Sequence, residues 1–289
     1  MRGREGWALL AVLLLARGVA ADCPAADDPS KIAVAGGSLT EILYFLGEED
    51  RIVAIDTTSN YPESAMKRFP SVGYVRNLSA EGLLSLEPTL VLGEDDMGPP
   101  EVLEQLSKTG VQIISVPEQH DADGIVSKVR CLASVIGRDP NVAISKLASV
   151  MAALDKVEPA QARVAMLLGL RQGVPMVAGT GTSGHGFLEM AGAENLFDNL
   201  DGWKPVSLEA MAKQNPQLLV MPQRGLDAAG GRAGVLEHPS IRLTSAGKSG
   251  SLVAKDGMAM LGFGPRTLST AAELASELVS FRESDGRGD

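Results

Sequence analysis

The sequence predicts an α/β protein of two like lobes with a ligand cleft between them, and three observations carry that prediction. A sixteen-residue phrase occurs twice, as LSAEGLLSLEPTLVLG over 78–93 and VSLEAMAKQNPQLLVM over 206–221, so Ser79, Glu81 and Pro88 return as Ser207, Glu209 and Pro216. Short apolar runs alternate with helix-like stretches in both halves, the pattern of a mostly parallel sheet with helices on its faces. One long amphipathic helix stands between the two copies. Two like halves fold into two like lobes, and their junction is the natural place for a ligand.

In the first half, the apolar runs 31–35, 52–55, 90–92 and 112–116 are short enough for strands. Helices are expected over 39–46 and 101–109, and a third over about 121–136 stops at Gly137. Asp139-Pro140 then offers an N-cap followed by a proline at the first helical position. The helix it opens has Ile144, Leu147, Met151 and Leu154 on one face and runs for about eighteen residues to Val157, roughly 27 Å. That length suits a strut joining two lobes. After Glu158-Pro159 the alternation restarts, with strands over 163–168, 176–178 and 218–221, helices over 187–190 and 208–213, and a last helix over 267–281. Residues 225–250 are rich in Gly and Ser without a period and are expected to be loop with one short helix. The expected division is a leader over 1–21, an N-terminal lobe over 22–138, a linking helix over 139–158 and a C-terminal lobe over 159–289.

The leader follows from Met1-Arg-Gly-Arg, an apolar run over 7–16 and small residues over 18–21, the pattern of a secretory signal peptide. Asp22 stands where a lipoprotein would need a small residue before Cys23. Residues 1–21 carry three Arg and one Glu, so their removal takes the net charge from −10 to −12. An acidic exported chain is a poor partner for nucleic acid or anionic membrane. Cys23 and Cys131 are the only cysteines; a disulfide and a buried thiol at Cys131 both remain open.

The candidate site residues sit near the repeat. Of the three tyrosines, Tyr44 lies on the apolar side of a helix and Tyr61 precedes a proline, which makes both packing residues. Tyr74 stands in Val-Gly-Tyr-Val-Arg, just before the first repeat, with Arg76 two residues on; Trp203 occupies the matching place before the second. The two aromatics are expected to face each other across the cleft. A neighbouring cation favours phenolate, and tyrosinate is a known ligand of haem iron; a rim aromatic stacking on another flat ligand is the alternative. His120 and His238 are expected at the surface, whereas His185, in Gly-Thr-Gly-Thr-Ser-Gly-His-Gly, stands between a strand and a helix as a possible second axial ligand. The same segment holds GxGxxG at Gly179, Gly181 and Gly184, a dinucleotide signature that carries little weight in an exported chain. Arg224 follows a strand and suits a carboxylate. Glu94-Asp95-Asp96 is expected to be a solvated loop.

VGYVRNLSAEGLLSLEPTLVL, followed by GEDDMGPP, resembles the periplasmic haem-binding proteins of Gram-negative haem-uptake ABC transporters, and LGFGPRT near the end is similar to their closing motif. The likeness extends over nearly the whole mature chain. It implies two Rossmann-like lobes joined by one long helix, with haem as the transported ligand and no enzymatic chemistry. It also implies a periplasmic monomer that receives haem from an outer-membrane receptor and passes it to a permease and its ATPase. By the same resemblance Tyr74 is the haem iron ligand and Arg76 steadies its phenolate. His185 is a possible second ligand, Trp203 and Arg224 contact the haem, and Glu81 and Glu209, one per lobe, dock on the permease. A ferric siderophore or corrinoid binder of the same architecture, and an exported dinucleotide-dependent enzyme, are the rival readings.

Overall fold

The computed structural model describes residues 23–157, 159 and 162–285. The expected signal peptide and the Arg-Gly-Asp ending lie outside the described residues. The first lobe runs through β1 (Ile32–Ala35), α1 (Gly37–Leu46), β2 (Ile52–Ile55), α2 (Glu63–Arg68), β3 (Gly73–Tyr74), β4 (Asn77–Leu78), α3 (Ala80–Leu84), β5 (Leu90–Glu94), α4 (Pro100–Ser107), β6 (Gln112–Val116) and α5 (Ala122–Val135). Its sheet has the order β2-β1-β5-β6, with every pair parallel. All four residues of β1 are buried, as an interior parallel strand covered on both faces requires. Parallel strands also end on one common edge, and that edge forms a wall of the cleft. Asp121 caps α5 by accepting from Gly124 N, and Cys131 on that helix is bonded to Cys23, with the Cα atoms 5.1 Å apart.

The linking helix is α6 (Asn141–Leu154), fourteen residues and so roughly 21 Å long. The helix starts one residue later than expected, with Pro140 and not Asp139 at the N-cap and no side-chain cap; Asp139 Oδ1 accepts from Asn141 N at 2.9 Å in the turn before it. The helix is shorter than expected because its end tightens: Lys156 N donates to Ala153 O and Val157 N to Leu154 O, three residues back instead of four. Leu147 is buried, with Ile144, Met151 and Leu154 packed beside it. Nor is α6 a free-standing strut, since α5 and the last helix of the chain pack along it.

The second lobe continues with β7 (Arg163–Arg171), β8 (Val174–Ala178), α7 (Ser183–Met190), β9 (Glu194–Asn195), β10 (Trp203–Pro205), α8 (Leu208–Gln214), β11 (Leu218–Pro222), α9 (Gln223–Ala228), α10 (Gly231–Leu236), α11 (Ser245–Ser249), β12 (Leu252–Lys255), α12 (Gly257–Leu261) and α13 (Pro265–Asp285). The strand order is β10-β8-β7-β11-β12, with β9 also on β7. This sheet is mixed, because β7 turns back through Gln172-Gly173, both at positive φ, and makes β8 and then β10 antiparallel. Where a loop with one helix was expected, three short helices form. Val235, Ile241 and Ala246 are fully buried in a cluster with Leu219 and Met221 of β11, but their spacing shows no helical period. One further core joins the lobes: Val34 and Leu39 belong to the same buried cluster as Val164, Phe187, Val220 and Phe263.

Candidate functional site

The C-terminal ends of β5 and β6 and the β3–β4 hairpin face the second lobe across a cavity of about 510 Å³. From the first lobe it is lined by Tyr74, Arg76, Glu94, Glu118 and His120, and from the second by Gly181, Thr182, Trp203, Met258 and Gly262. A second cavity, of about 550 Å³, adjoins it at Trp203 and is lined by Leu168, Leu170, Arg171, Met176 and Arg224. Tyr74 and Trp203 therefore stand on the same cavity, while Arg224 stands on the adjoining one.

The hairpin explains why Tyr74 points outward. Tyr74 pairs with Asn77 and Gly73 with Leu78, while Val75 and Leu78 are buried in the core of the lobe. Side chains alternate along a strand, so anchoring those two leaves Tyr74 42% exposed toward the cleft. No hydrogen-bond partner for its hydroxyl is found among the described residues. The Arg76 guanidinium lies 6.0 Å from the Tyr74 ring centroid. It is also tied to Asp96, with Nε 2.7 Å from the carboxylate. That hydrogen bond is the main reason the Arg76 pKa is raised, and it means that Arg76 shares its charge between the phenol and Asp96.

In three dimensions the repeat is a capped helix followed by a strand. Ser79 accepts from Gly82 N to cap α3, and Ser207 accepts from Ala210 N to cap α8. Glu81 and Glu209 lie exposed in the first turns, where a negative charge suits the helix dipole. Pro88 and Pro216 then precede the buried strands β5 and β11.

The histidines need correction. His185 is absent from the residues that line either cavity. Its Nδ1 lies 3.0 Å from Asn195 Nδ2 and its Nε2 3.4 Å from Glu189. The amide also donates to Ala178 O, so Nδ1 accepts and both ring nitrogens are engaged within the second lobe. His120, expected at the surface, lines the cleft instead. Its ring packs against Phe263 at 5.0 Å between centroids, and its pKa is lowered mainly by burial. The polar turn around it carries no apolar signal; only its place just past a parallel strand marks it.

The acidic triplet is not a solvated loop. Asp96 holds Arg76, Asp95 accepts from Ser115 at 2.8 Å, and Glu94 turns inward to accept from Ser38 Oγ. Facing Glu94 at 3.7 Å is Lys128 of α5, whose side chain is 0% exposed. Lys128 Nζ donates to Glu118 at 2.9 Å, to Ser38 Oγ at 3.1 Å and across to Gly262 O of the second lobe at 3.3 Å. Burial pushes the Glu94 pKa up to about 7, with Lys128 opposing and Glu118 adding to the rise. The glycines of GxGxxG serve chain packing: a Cβ on Gly179 would fall 2.3 Å from Leu200 O.

The sequence pattern of the periplasmic binding protein family matches residues 32–257. The vitamin B12-binding protein of Yersinia pestis (strain Pestoides F) is 30% identical over 189 residues, which span 64% of this chain and 66%, just under two thirds, of that relative. Among solved structures, the periplasmic heme-binding protein RhuT from Roseiflexus sp. RS-1, in apo form, superposes with a TM-score of 0.81 at 32% identity, covering 88% of this chain and 99% of its own. The periplasmic heme-binding protein HutB of Vibrio cholerae gives a TM-score of 0.79 at 32% identity, covering 87% and 99%.

Proposed function

We propose, from the premise that this chain belongs to the periplasmic binding protein family, that it binds ferric haem in the interlobe cleft and delivers it to the permease of an ABC transporter. The observation that carries this reading is Tyr74, a cleft-facing phenol with no hydrogen-bond partner among the described residues, on the same cavity as Trp203. The other two tyrosines are occupied elsewhere: Tyr44 packs on the core and Tyr61 lies under the Arg266 guanidinium at 3.8 Å. Phenolate oxygen suits ferric iron. In this reading Tyr74 is the axial ligand, Arg76 its electrostatic support, Trp203 covers a face of the porphyrin and Arg224 meets a carboxylate. The similarity to heme-binding proteins over almost their entire length supports the same ligand.

The ligand is carried, not transformed, and the chemistry is capture and release. Glu81 and Glu209, exposed at equivalent helix starts, are the proposed docking points on the permease, with its ATPase behind it. The apolar leader over 1–21 and the Cys23–Cys131 disulfide support export to an oxidising compartment. There the chain acts as a monomer that takes haem from an outer-membrane receptor.

Titration with hemin tests the reading. Binding should give the charge-transfer bands and shifted Soret peak of tyrosinate-ligated ferric haem, and Tyr74→Ala should abolish that spectrum. An unchanged spectrum in the variant moves the iron ligand elsewhere. Glu81→Ala combined with Glu209→Ala should leave hemin binding intact while lowering uptake through reconstituted transporter; normal uptake refutes the docking assignment. A corrinoid is the second reading, favoured by the vitamin B12-binding relative. Cobalamin binding tighter than hemin binding would establish it in place of haem.

A further inference from the structure

We propose that Arg171 and Arg224 form a carboxylate-reading pair that sets which way round the ligand lies, with its anionic edge over the second lobe and its metal toward Tyr74. The proposal rests on the haem reading above. It follows from where free positive charge is found. On the first-lobe wall Arg76 is already matched by Asp96, Lys128 buried behind it is matched by Glu118, and Asp95 adds further negative charge. A carboxylate turned toward that wall meets like charge.

Beyond Trp203 the situation reverses. The adjoining cavity is lined by apolar groups, Leu168, Leu170 and Met176 among them, and carries no Asp or Glu among its described lining. Neither Arg171 nor Arg224 has an ion-pair partner among the described residues. A flat apolar body lying over Trp203 thus finds apolar surface beneath it and two unmatched guanidinium groups at its edge. Guanidinium presents a planar fork that fits carboxylate.

Two rigid elements hold the pair. Arg171 ends β7 directly opposite Val174 across the tight Gln172-Gly173 turn. Arg224 stands in the first turn of α9, which lies close on β7 because Gly225 has no side chain: a Cβ there would come 2.5 Å from Leu168 O. Arg171 follows an ordinary strand pattern with nothing in its neighbourhood to mark it, and only the fold places it on the same cavity as Arg224.

The test compares hemin with its dimethyl ester, which keeps the iron and the ring but loses both anionic groups. Trp203 is the only tryptophan after residue 21, so quenching of its fluorescence reports binding and the Soret band reports ligation. Each charge-assisted contact should contribute about tenfold to hundredfold in affinity. Wild-type protein should therefore prefer hemin to the ester. Arg171→Gln and Arg224→Gln should each lose part of that preference, and the double variant nearly all of it, with the Soret position unchanged. Equal binding of acid and ester by wild type, or full preference retained in the double variant, overturns the proposal while leaving haem binding in place. Preference lost in Arg224→Gln but untouched in Arg171→Gln overturns the pair. Failure of wild type to bind hemin at all overturns the haem reading beneath it.

Discussion

Replacing Glu94 by Gln should remove a pH dependence of stability whose size follows from the structure. Burial raises the Glu94 pKa from an ordinary 4.5 to about 7. Between those values the folded chain holds a proton that the unfolded chain has released. Stability contributed by this group is therefore complete below about pH 4.5 and declines as pH rises through 7. A shift from 4.5 to about 7, at about 1.4 kcal/mol per unit, amounts to about 3 kcal/mol. Gln keeps an acceptor for Ser38 and cannot ionise. Urea unfolding of both proteins at pH 5, 6, 7 and 8, followed by far-ultraviolet circular dichroism, gives the two stability curves. The wild-type curve should fall relative to the variant by about 3 kcal/mol from the acid to the alkaline end. Curves that run parallel within about 0.5 kcal/mol, inside the uncertainty of the extrapolation, would refute the assignment of a buried, proton-binding carboxyl to position 94.

Lys128→Met should cost about 3–5 kcal/mol, because it leaves Glu118 and Glu94 without their buried cation; a melting temperature lowered by less than about 5 °C would contradict that. Replacing both Cys23 and Cys131 by Ser opens a loop of 108 residues' separation, and the loss in denaturant titration should be about 4–5 kcal/mol on the chain-entropy account. A loss under about 1 kcal/mol would show that the unfolded chain is already restricted in that region. Asp96→Asn frees Arg76 to act on Tyr74 alone. Hemin should then bind up to about fivefold more tightly, in line with an exposed ion pair; weaker binding would mean that Asp96 serves to position Arg76.

The parts of the fold legible in the sequence are those whose signal is local. The strands β1 and β5 read as apolar runs because both their faces are buried, β2 and β6 because enough of each is, and the recurrence of Ser79, Glu81 and Pro88 as Ser207, Glu209 and Pro216 marks α3–β5 and α8–β11 as one scaffold used twice. The same locality explains the misreadings. Lys128 gathers partners 10, 90 and 134 residues away, so no window of sequence distinguishes it from a solvated helix lysine. His120 and Arg171 are likewise assigned by the edge on which their strands end, which is a property of the sheet. His185 shows the converse failure: its glycine-rich setting suggested a ligand, yet Asn195 and Glu189 hold the ring inside the second lobe. Residues 225–250 lacked a period because each short helix buries only one side chain.

The repeat explains where the site is, and its imperfections explain what the site can do. Both copies provide the same scaffold, a strand with an outward aromatic, a serine-capped helix and a buried strand after a proline. Had the aromatics been identical, both walls would offer the same chemistry. Tyr74 presents an oxygen that can ionise and take a metal, whereas the indole of Trp203 can donate a hydrogen bond but has no lone pair for iron. The proposed haem reading accordingly gives the metal-binding role to the first lobe and the stacking role to the second. Charge divides along the same line, with carboxylates gathered behind Tyr74 and unmatched guanidinium groups beyond Trp203. Both asymmetries favour a ligand with a cationic metal on one side and acidic groups on the other, which is the charge pattern of a ferric porphyrin dicarboxylate.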